Sequence, residues 1–185
     1  MKRIILISTA IAVVAIAAVI MFFVLSSNGT DTVAQNITVG APAPNYGFLA
    51  ANGSAVSLSS YRGHITVLWL VATWCPSCAQ GNEALNQNYQ FFKQHGIKIV
   101  ELELYRDLGY RGPSIASFVN SYAPAAYGNG TIIPALAGYN MTEAYDPKGY
   151  LDIYYPLSSD GNVIYISGSP ASTLNQLEQA INVSE

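Results

Sequence analysis

Two cysteines separated by two residues are the part of the sequence with the clearest chemistry. Cys75 and Cys78 are the only cysteines among the 185 residues. They follow an apolar run and open a segment with helical periodicity. The N-terminus of a helix carries unpaired N–H groups and a partial positive charge, which favour a thiolate at the first cysteine. The pair therefore predicts disulfide exchange, with Cys75 as the nucleophile and Cys78 as the resolving thiol.

Two other roles for a cysteine pair stay open at this stage. A structural zinc site normally uses four Cys or His ligands, and the chain adds only His64 and His95, which do not stand in a paired spacing. A purely structural disulfide would close a loop of four residues, which restricts the unfolded chain little. Redox chemistry is the reading that the spacing favours, and we expect no metal and no other cofactor.

A buried strand and a helix should position the two cysteines. Residues 65–72 are almost all apolar and predict the strand, and apolar side chains recur at helical spacing from Cys78 to about Gly96. Residues 97–104 predict a second strand and residues 114–122 a second helix. Alternating strands and helices imply parallel strands joined by right-handed crossovers.

The two ends of the domain each predict a hairpin. Residues 46–50 and 55–58 are joined by a turn of the Asn-Gly type, which predicts an N-terminal hairpin. Residues 151–155 and 162–166 predict a closing hairpin. A last helix should begin at Ser169-Pro170, because serine is a good cap and proline suits the first turn.

Residues 123–147 predict a loop or an insertion, because glycines and prolines interrupt every period there. The stretch contains Tyr127, Tyr139 and Tyr145. Such aromatic side chains either pack over the domain or bind a partner beside the redox site. Packing is the ordinary outcome for a loop, and binding is the alternative.

The N-terminal part predicts a membrane anchor and a tether. Residues 4–25 carry no charge and follow Lys2 and Arg3. At about 1.5 Å per residue this run spans a hydrocarbon core of about 30 Å, and it is longer than the apolar core of a cleaved secretory signal. The basic start should stay in the cytoplasm. We expect a transmembrane anchor at 1–25, a linker at 26–38 and one domain at 39–185 outside the cytoplasm.

Composition and motifs exclude several other functions. The chain has eight Lys and Arg in total, so nucleic-acid binding has no electrostatic basis. The sequence has no phosphate-binding glycine-rich loop, no nucleophile elbow and no histidine cluster. A peroxiredoxin would use a lone cysteine, and a copper chaperone of the Sco type would separate its cysteines by three residues.

A series of short motifs is similar to one known family. Residues 40–46 read Gly-Ala-Pro-Ala-Pro-Asn-Tyr, residues 56–59 Val-Ser-Leu-Ser, residues 62–64 Arg-Gly-His and residues 72–78 Ala-Thr-Trp-Cys-Pro-Ser-Cys. In this order they resemble membrane-anchored thioredoxin-like proteins of the TlpA/ResA type. The resemblance implies an α/β thioredoxin-like fold. Its central mixed sheet is flanked by helices, has an N-terminal hairpin extension and follows one transmembrane helix.

The resemblance also implies a function. It implies a thiol–disulfide oxidoreductase whose substrates are protein disulfides or dithiols, with Trp74, Pro76 and Ser77 tuning the reactivity of the cysteine pair. It further implies a reductant, for instance in cytochrome c maturation, that takes electrons from a membrane thiol transporter. A disulfide-introducing oxidase and a non-catalytic binding module with the same fold stay open.

One departure from the family pattern concerns the loop that faces the cysteines. Thioredoxin-like domains place a cis-proline before the closing hairpin, and the alignment puts Leu151 in that position. A cis bond before a residue other than proline costs about 2.5–4 kcal/mol. We therefore expect a trans bond at Leu151.

A second departure concerns the acid that takes the proton of the buried thiol. Thioredoxins carry an Asp six residues before the first cysteine, where this chain has Trp69, and ResA-type proteins carry a Glu three residues after the second, where it has Gly81. Neither residue can accept a proton. Glutamate is seldom buried, so we expect the remaining candidates to be solvated and leave the acceptor unassigned. These candidates are Glu83, Glu101 and Glu103.

Overall fold

The computed structural model describes residues 37–184. The predicted transmembrane anchor at 1–25 and nearly all of the predicted linker lie outside these residues. Within residues 37–184, no helix combines the length and the apolar character needed to cross a bilayer.

Seven strands form one mixed sheet. They are β1 (Gly47–Ala50), β2 (Ala55–Ser57), β3 (Thr66–Val71), β4 (Lys98–Glu103), β5 (Ile132–Ala137), β6 (Ile153–Leu157) and β7 (Ser167–Gly168). Their order across the sheet is β2-β1-β5-β4-β3-β6-β7. The three central strands β5, β4 and β3 run parallel, and the other pairings are antiparallel. The strand that precedes the cysteines therefore lies inside the sheet, paired on both sides.

Within the part of the chain that the structure describes, six helices surround this sheet. They are α1 (Pro76–Gln87), α2 (Tyr89–Gln94), α3 (Ile115–Tyr122), α4 (Pro124–Gly128), α5 (Tyr139–Tyr145) and α6 (Pro170–Ser184). Two 3-10 helices, Leu58–Tyr61 and Tyr105–Gly109, follow β2 and β4. The α/β fold with a mixed sheet, flanking helices and an N-terminal hairpin agrees with the expectation from the sequence.

The sheet carries a hydrophobic core on each face, which explains why every residue of β3 is buried. On one face, Trp69 belongs to the core that includes Leu85 of α1 and Leu177 of α6. On the other face, Leu68 belongs to the core that includes Phe48 of β1. Because successive strand residues point to opposite faces, Trp69 and the residues two places before and after it lie on the side of α1.

The prediction of a loop for residues 123–147 is wrong. This stretch contains α4, β5 and α5, and β5 lies between β1 and β4. Pro134 and the glycines hide the strand in the sequence, whereas pairing with neighbours on both sides stabilises it in the fold. Tyr145 is buried, and its hydroxyl donates to the Pro44 carbonyl at 2.6 Å, while Tyr139 is exposed.

Two further boundaries differ from the expectation. The helix predicted to reach Gly96 is interrupted at Asn88, whose φ of −111° and ψ of 12° separate α1 from α2. The closing hairpin also differs from the prediction. Residues 162–166 are predicted as its second strand, but Val163 makes an isolated bridge to Leu157 and the strand that pairs with the outer side of β6 is β7. Neither difference moves the strand and helix that hold the cysteines.

Candidate active site

Cys75 and Cys78 form a disulfide at the N-terminus of α1, with their Cα atoms 5.3 Å apart. Cys75 is the N-cap residue, and Pro76 occupies the first turn, where a missing N–H has no cost. The Cys75 Sγ accepts the backbone N–H of Cys78 at 3.2 Å. The Ser77 hydroxyl lies 3.2 Å from the same sulfur. These groups can stabilise negative charge on Cys75 once the disulfide opens.

The two sulfur-bearing residues differ in access. Cys75 retains 4% of its surface exposed, and Cys78 has none. A partner can therefore approach Cys75 more readily than Cys78. The roles expected from the sequence, in which Cys75 meets the partner and Cys78 closes the disulfide, stay predictions.

Trp74 forms the exposed rim of the site. Its ring packs against Tyr110 with the centroids 4.7 Å apart, and both side chains face solvent. Its Nε1 donates to the Asp107 carbonyl at 2.8 Å. The side chains of Arg106, Tyr110 and Arg111 line a groove that opens beside this aromatic pair. The rim thus offers exposed aromatic surface next to the disulfide.

Asp107 fixes the backbone just before the cysteine motif. Its two carboxylate oxygens accept the Thr73 N–H at 2.8 Å and the Thr73 hydroxyl at 2.7 Å. Asp107 lies in a left-handed turn with φ values of 53–56° from Arg106 to Leu108, a conformation that aspartate tolerates better than most residues. A side chain at Gly112 would collide with Thr73 and with the Asp107 carboxylate. These contacts have no local signal in the sequence, because Thr73 and Asp107 lie 34 residues apart in the chain.

Trp69 and Gly81, the two positions at which the thioredoxin-like resemblance implies an acid, depend on each other. A Cβ atom at Gly81 would lie 2.6 Å from Cζ2 of Trp69. The indole therefore fills the space beneath α1 that a side chain at position 81 would need. The absence of an acid at both positions follows from one packing arrangement.

Glu101 lies beside Trp69, since these residues are register partners on β4 and β3. Its side chain is fully buried, so the expectation that it is solvated is wrong. Its Oε1 accepts the Nδ2 of Asn82 at 2.7 Å. Burial raises the pKa of Glu101 to about 8, with the nearby charge of Asp152 adding to the rise and the Asn82 bond opposing it.

The other two candidate acids have different environments. Glu83 is exposed, as expected from its position on α1. Glu103 is half-buried, and burial, together with the charge of Asp107, raises its pKa to about 7. The signal that could have identified Glu101 is a charged residue in the middle of a mostly apolar strand.

Leu151 and Asp152 lie immediately before β6, both with positive φ values, 61° and 57°. No peptide bond among residues 37–184 is cis, so the bond at Leu151 is trans. The side chain of Asp152 is buried, and its Oδ1 accepts the Nε1 of Trp69 at 3.0 Å. Burial raises the pKa of Asp152, and the Trp69 bond and the neighbouring Ser77 and Ser169 hydroxyls lower it in part. This segment therefore reaches the residues between the two cysteines.

Comparison with known proteins places these features in a family. The sequence model of the AhpC/TSA family matches residues 39–162. The thiol-disulfide oxidoreductase ResA of Bacillus subtilis is 28% identical over 88 residues, which cover 48% of this chain and 47% of that protein. ResA of Bacillus anthracis is 25% identical over 133 residues, covering 70% of this chain and 69% of that protein. The chain thus spans about half the length of the Bacillus subtilis relative that it matches.

Solved structures agree on the fold. A putative thiol:disulfide interchange protein DsbE from Chlorobium tepidum superposes with a TM-score of 0.62 at 23% identity, covering 80% of this chain and 99% of that one. A thioredoxin-like protein from Aeropyrum pernix gives a TM-score of 0.59 at 20% identity, covering 75% of this chain and 89% of that one. The thioredoxin-like fold is confirmed, and so is the resemblance to ResA-type proteins. Because the family model covers well over half of the sequence, the chain belongs to the AhpC/TSA family of thioredoxin-like proteins.

Proposed function

We propose that this protein is a thiol–disulfide oxidoreductase that is tethered to the membrane and reduces disulfides in extracytoplasmic proteins. Cys75 attacks the partner's disulfide, and Cys78 resolves the mixed disulfide that results. The electrons come from a membrane thiol transporter, which reduces the Cys75–Cys78 disulfide after each cycle.

The observation that carries this proposal is the position of the disulfide. Cys75 caps α1, and its sulfur accepts the Cys78 N–H at 3.2 Å. A reduced Cys75 in this position is favoured as a thiolate, which is the attacking species in disulfide exchange. Four residues in the closed loop stabilise the folded chain little, so a purely structural role explains the arrangement less well.

The surroundings of the site support a protein as the partner. Trp74 and Tyr110 present exposed aromatic surface beside Cys75. Aromatic side chains bury a large area at a low entropic cost and are common where proteins meet. The ResA relatives carry the name thiol-disulfide oxidoreductase, which agrees with the same chemistry.

The membrane tether and the reducing direction rest on the sequence. Residues 4–25 carry no charge and follow Lys2 and Arg3, which supports an anchor with a cytoplasmic N-terminus. The reducing direction and a place in cytochrome c maturation rest on the resemblance to the TlpA/ResA type. An oxidase that introduces disulfides and a binding module without turnover are the alternatives.

Trapping of mixed disulfides tests the proposed roles of the two cysteines. The Cys78→Ser variant retains the nucleophile and loses the resolving thiol, so we expect it to accumulate covalent complexes with partner proteins through Cys75. The Cys75→Ser variant should accumulate few or none. Non-reducing electrophoresis followed by reduction measures both. A chain with both substitutions is the control for association that is not covalent, and equal trapping by the two single variants would contradict the assignment.

A further inference from the structure

Three buried polar atoms without partners belong to residues that are connected through Glu101 and its register partner Trp69. Among residues 37–184, the buried side-chain atoms with no hydrogen-bond partner are Oδ1 of Asn82, Oε2 of Glu101 and Oδ2 of Asp152. Buried polar atoms are normally paired, so a group of unpaired oxygens requires a functional explanation. All three residues belong to a polar network on the side of the sheet that faces the disulfide.

Asn82 connects this network to Cys78. It lies one helical turn after Cys78 on the same face of α1, and both residues are fully buried. Its Nδ2 donates to Glu101 Oε1 at 2.7 Å and also reaches the Cys78 carbonyl at 3.4 Å. One amide group therefore ties the Glu101 carboxyl to the turn of helix that carries the resolving cysteine.

The two carboxyl groups of the network have different donors. Asp152 accepts the indole N–H of Trp69 and has the hydroxyls of Ser77 and Ser169 nearby, all of which favour its charged form. Glu101 has the amide of Asn82 as its donor, and the charge of Asp152 opposes a second charge beside it. Such a pair separates the protonation states of its members, so in the disulfide form the proton resides on Glu101.

No competing titratable group acts on Glu101 from the strands beside it. Its register partners are Trp69 on β3 and Pro134 on β5, neither of which titrates. The charge that acts on it comes from Asp152, and α1 presents the cysteines. Tyr154 on β6 faces Asp152 and stays neutral, because burial raises its pKa.

We propose that Glu101 exchanges a proton with the Cys78 thiol, directly or through one bridging water molecule, and so replaces the acid that relatives carry at the positions of Trp69 and Gly81. This inference rests on the proposed function. The proton acceptor then lies on β4, whereas the positions of Trp69 and Gly81 lie on β3 and α1.

The proton and the electrons balance in each cycle. In the mixed disulfide, the Cys78 thiol gives its proton to the Glu101 carboxylate, and the thiolate attacks Cys75 Sγ. The Cys75–Cys78 bond forms as the bond to the partner breaks, and the partner leaves as a thiolate that takes a proton from solvent. The two cysteines lose two electrons, and the partner's disulfide gains them. The oxidised protein keeps the proton on Glu101 and returns it to Cys78 when a donor dithiol reduces the disulfide.

The reaction of the reduced full-length protein with dithiodipyridine tests this proposal. Attack by Cys75 releases the first thiopyridone, and resolution by Cys78 releases the second, so stopped-flow absorbance separates the steps. We expect Glu101→Gln to slow the second release about 100-fold near neutral pH, because general-base catalysis typically contributes at least that factor. The residual rate should rise in proportion to hydroxide. The first release should be unchanged.

Two further variants make the test specific. Glu103→Gln removes a carboxyl two residues further along β4 and should leave the second release unchanged. Asn82→Ala keeps the Glu101 carboxyl and removes its hydrogen-bond donor. Because that bond lowers the pKa of Glu101, the pH dependence of the second release should shift to higher pH. This variant tests the proposal even if Glu101→Gln folds poorly.

The possible outcomes distinguish a failure of the Glu101 role from a failure of the proposed oxidoreductase function. A second release that keeps the wild-type rate and pH profile in Glu101→Gln, or one that slows without a change in pH profile, overturns the role of Glu101. Failure of the wild-type protein to give a first release through Cys75 overturns the proposed function itself.

Discussion

Cys75 and Cys78 receive different chemistry from their positions in one helical turn. Cys75 caps the helix and accepts an N–H on its sulfur, whereas Cys78 lies inside the first turns and is fully buried. The first position favours a thiolate, and the second requires help to lose a proton. The proposed division into nucleophile and resolving thiol rests on this difference.

Burial of Glu101 predicts a pH-dependent stability. Its pKa is about 8 in the folded protein, against an ordinary value of about 4.3. Between these values the unfolded chain holds fewer protons than the folded one, so the free energy of unfolding falls as pH rises through this window. We expect Glu101→Gln to remove most of this fall and to be more stable than the wild type above the window by a few kcal/mol.

Urea unfolding of the oxidised protein at about pH 5, 7 and 9 measures this effect. Glu83→Gln is the matched control, because Glu83 is exposed and its removal should leave the slope unchanged. If the free energy of unfolding changes with pH by the same amount in the wild type and in Glu101→Gln, Glu101 is not held neutral by the fold.

Strand β3 and helix α1 pack against each other through a tryptophan on the strand and a glycine on the helix. Trp69 fills the space beneath α1, and Gly81 leaves room for its ring. The same indole donates to Asp152, so packing and the polar network share one residue. The distance between the sheet and the helix that carries the cysteines depends on this pair.

A methyl group at Gly81 should therefore destabilise the fold. Its Cβ would lie 2.6 Å and 2.9 Å from two atoms of the Trp69 ring. We expect Gly81→Ala to lower the free energy of unfolding by about 1–3 kcal/mol, as overpacked cores do. Gly128→Ala is the control, because a Cβ there meets nothing within 4 Å. Equal stability of the two variants in urea would contradict the packing described here.

Local signals in the sequence predicted the elements that hold the cysteines. The apolar run of β3, the start of a helix at the cysteines and the hairpin before them are close together in the chain, and all three appear in the structure. Strand β5 was not predictable in this way, because its stability comes from pairing with β1 and β4 rather than from its own pattern.

Some residues of the candidate site were likewise predictable from local sequence signals, and others were not. The motif residues from Trp74 to Cys78 were predictable, since their spacing alone carries the chemistry. Asp107 and Glu101 were not assigned, because their contacts with Thr73 and Asn82 depend on how distant segments meet across the sheet. The sequence offered two indirect signs of another acceptor, the empty acid positions and a charged residue in the middle of a mostly apolar strand.

At the scale of the whole molecule, the proposed anchor predicts a defined topology. In a chain that lacks both native cysteines, Lys2→Cys should be protected from a membrane-impermeant maleimide in intact cells, and Ser26→Cys should be labelled. The reason is that basic flanks stay in the cytoplasm while the apolar run crosses the bilayer. The opposite labelling pattern, or release of the chain from membranes by carbonate, would contradict the anchored arrangement.

The equilibrium reduction potential of the full-length protein, titrated against dithiothreitol at neutral pH, tests the central claim most directly. Cys75 and Cys78 should cycle fully between disulfide and dithiol, and a reductant should have a potential near or below the thioredoxin value of about −270 mV. A potential near the DsbA value of about −120 mV would contradict the reducing role and favour a disulfide donor. A pair that does not cycle would contradict the redox function itself.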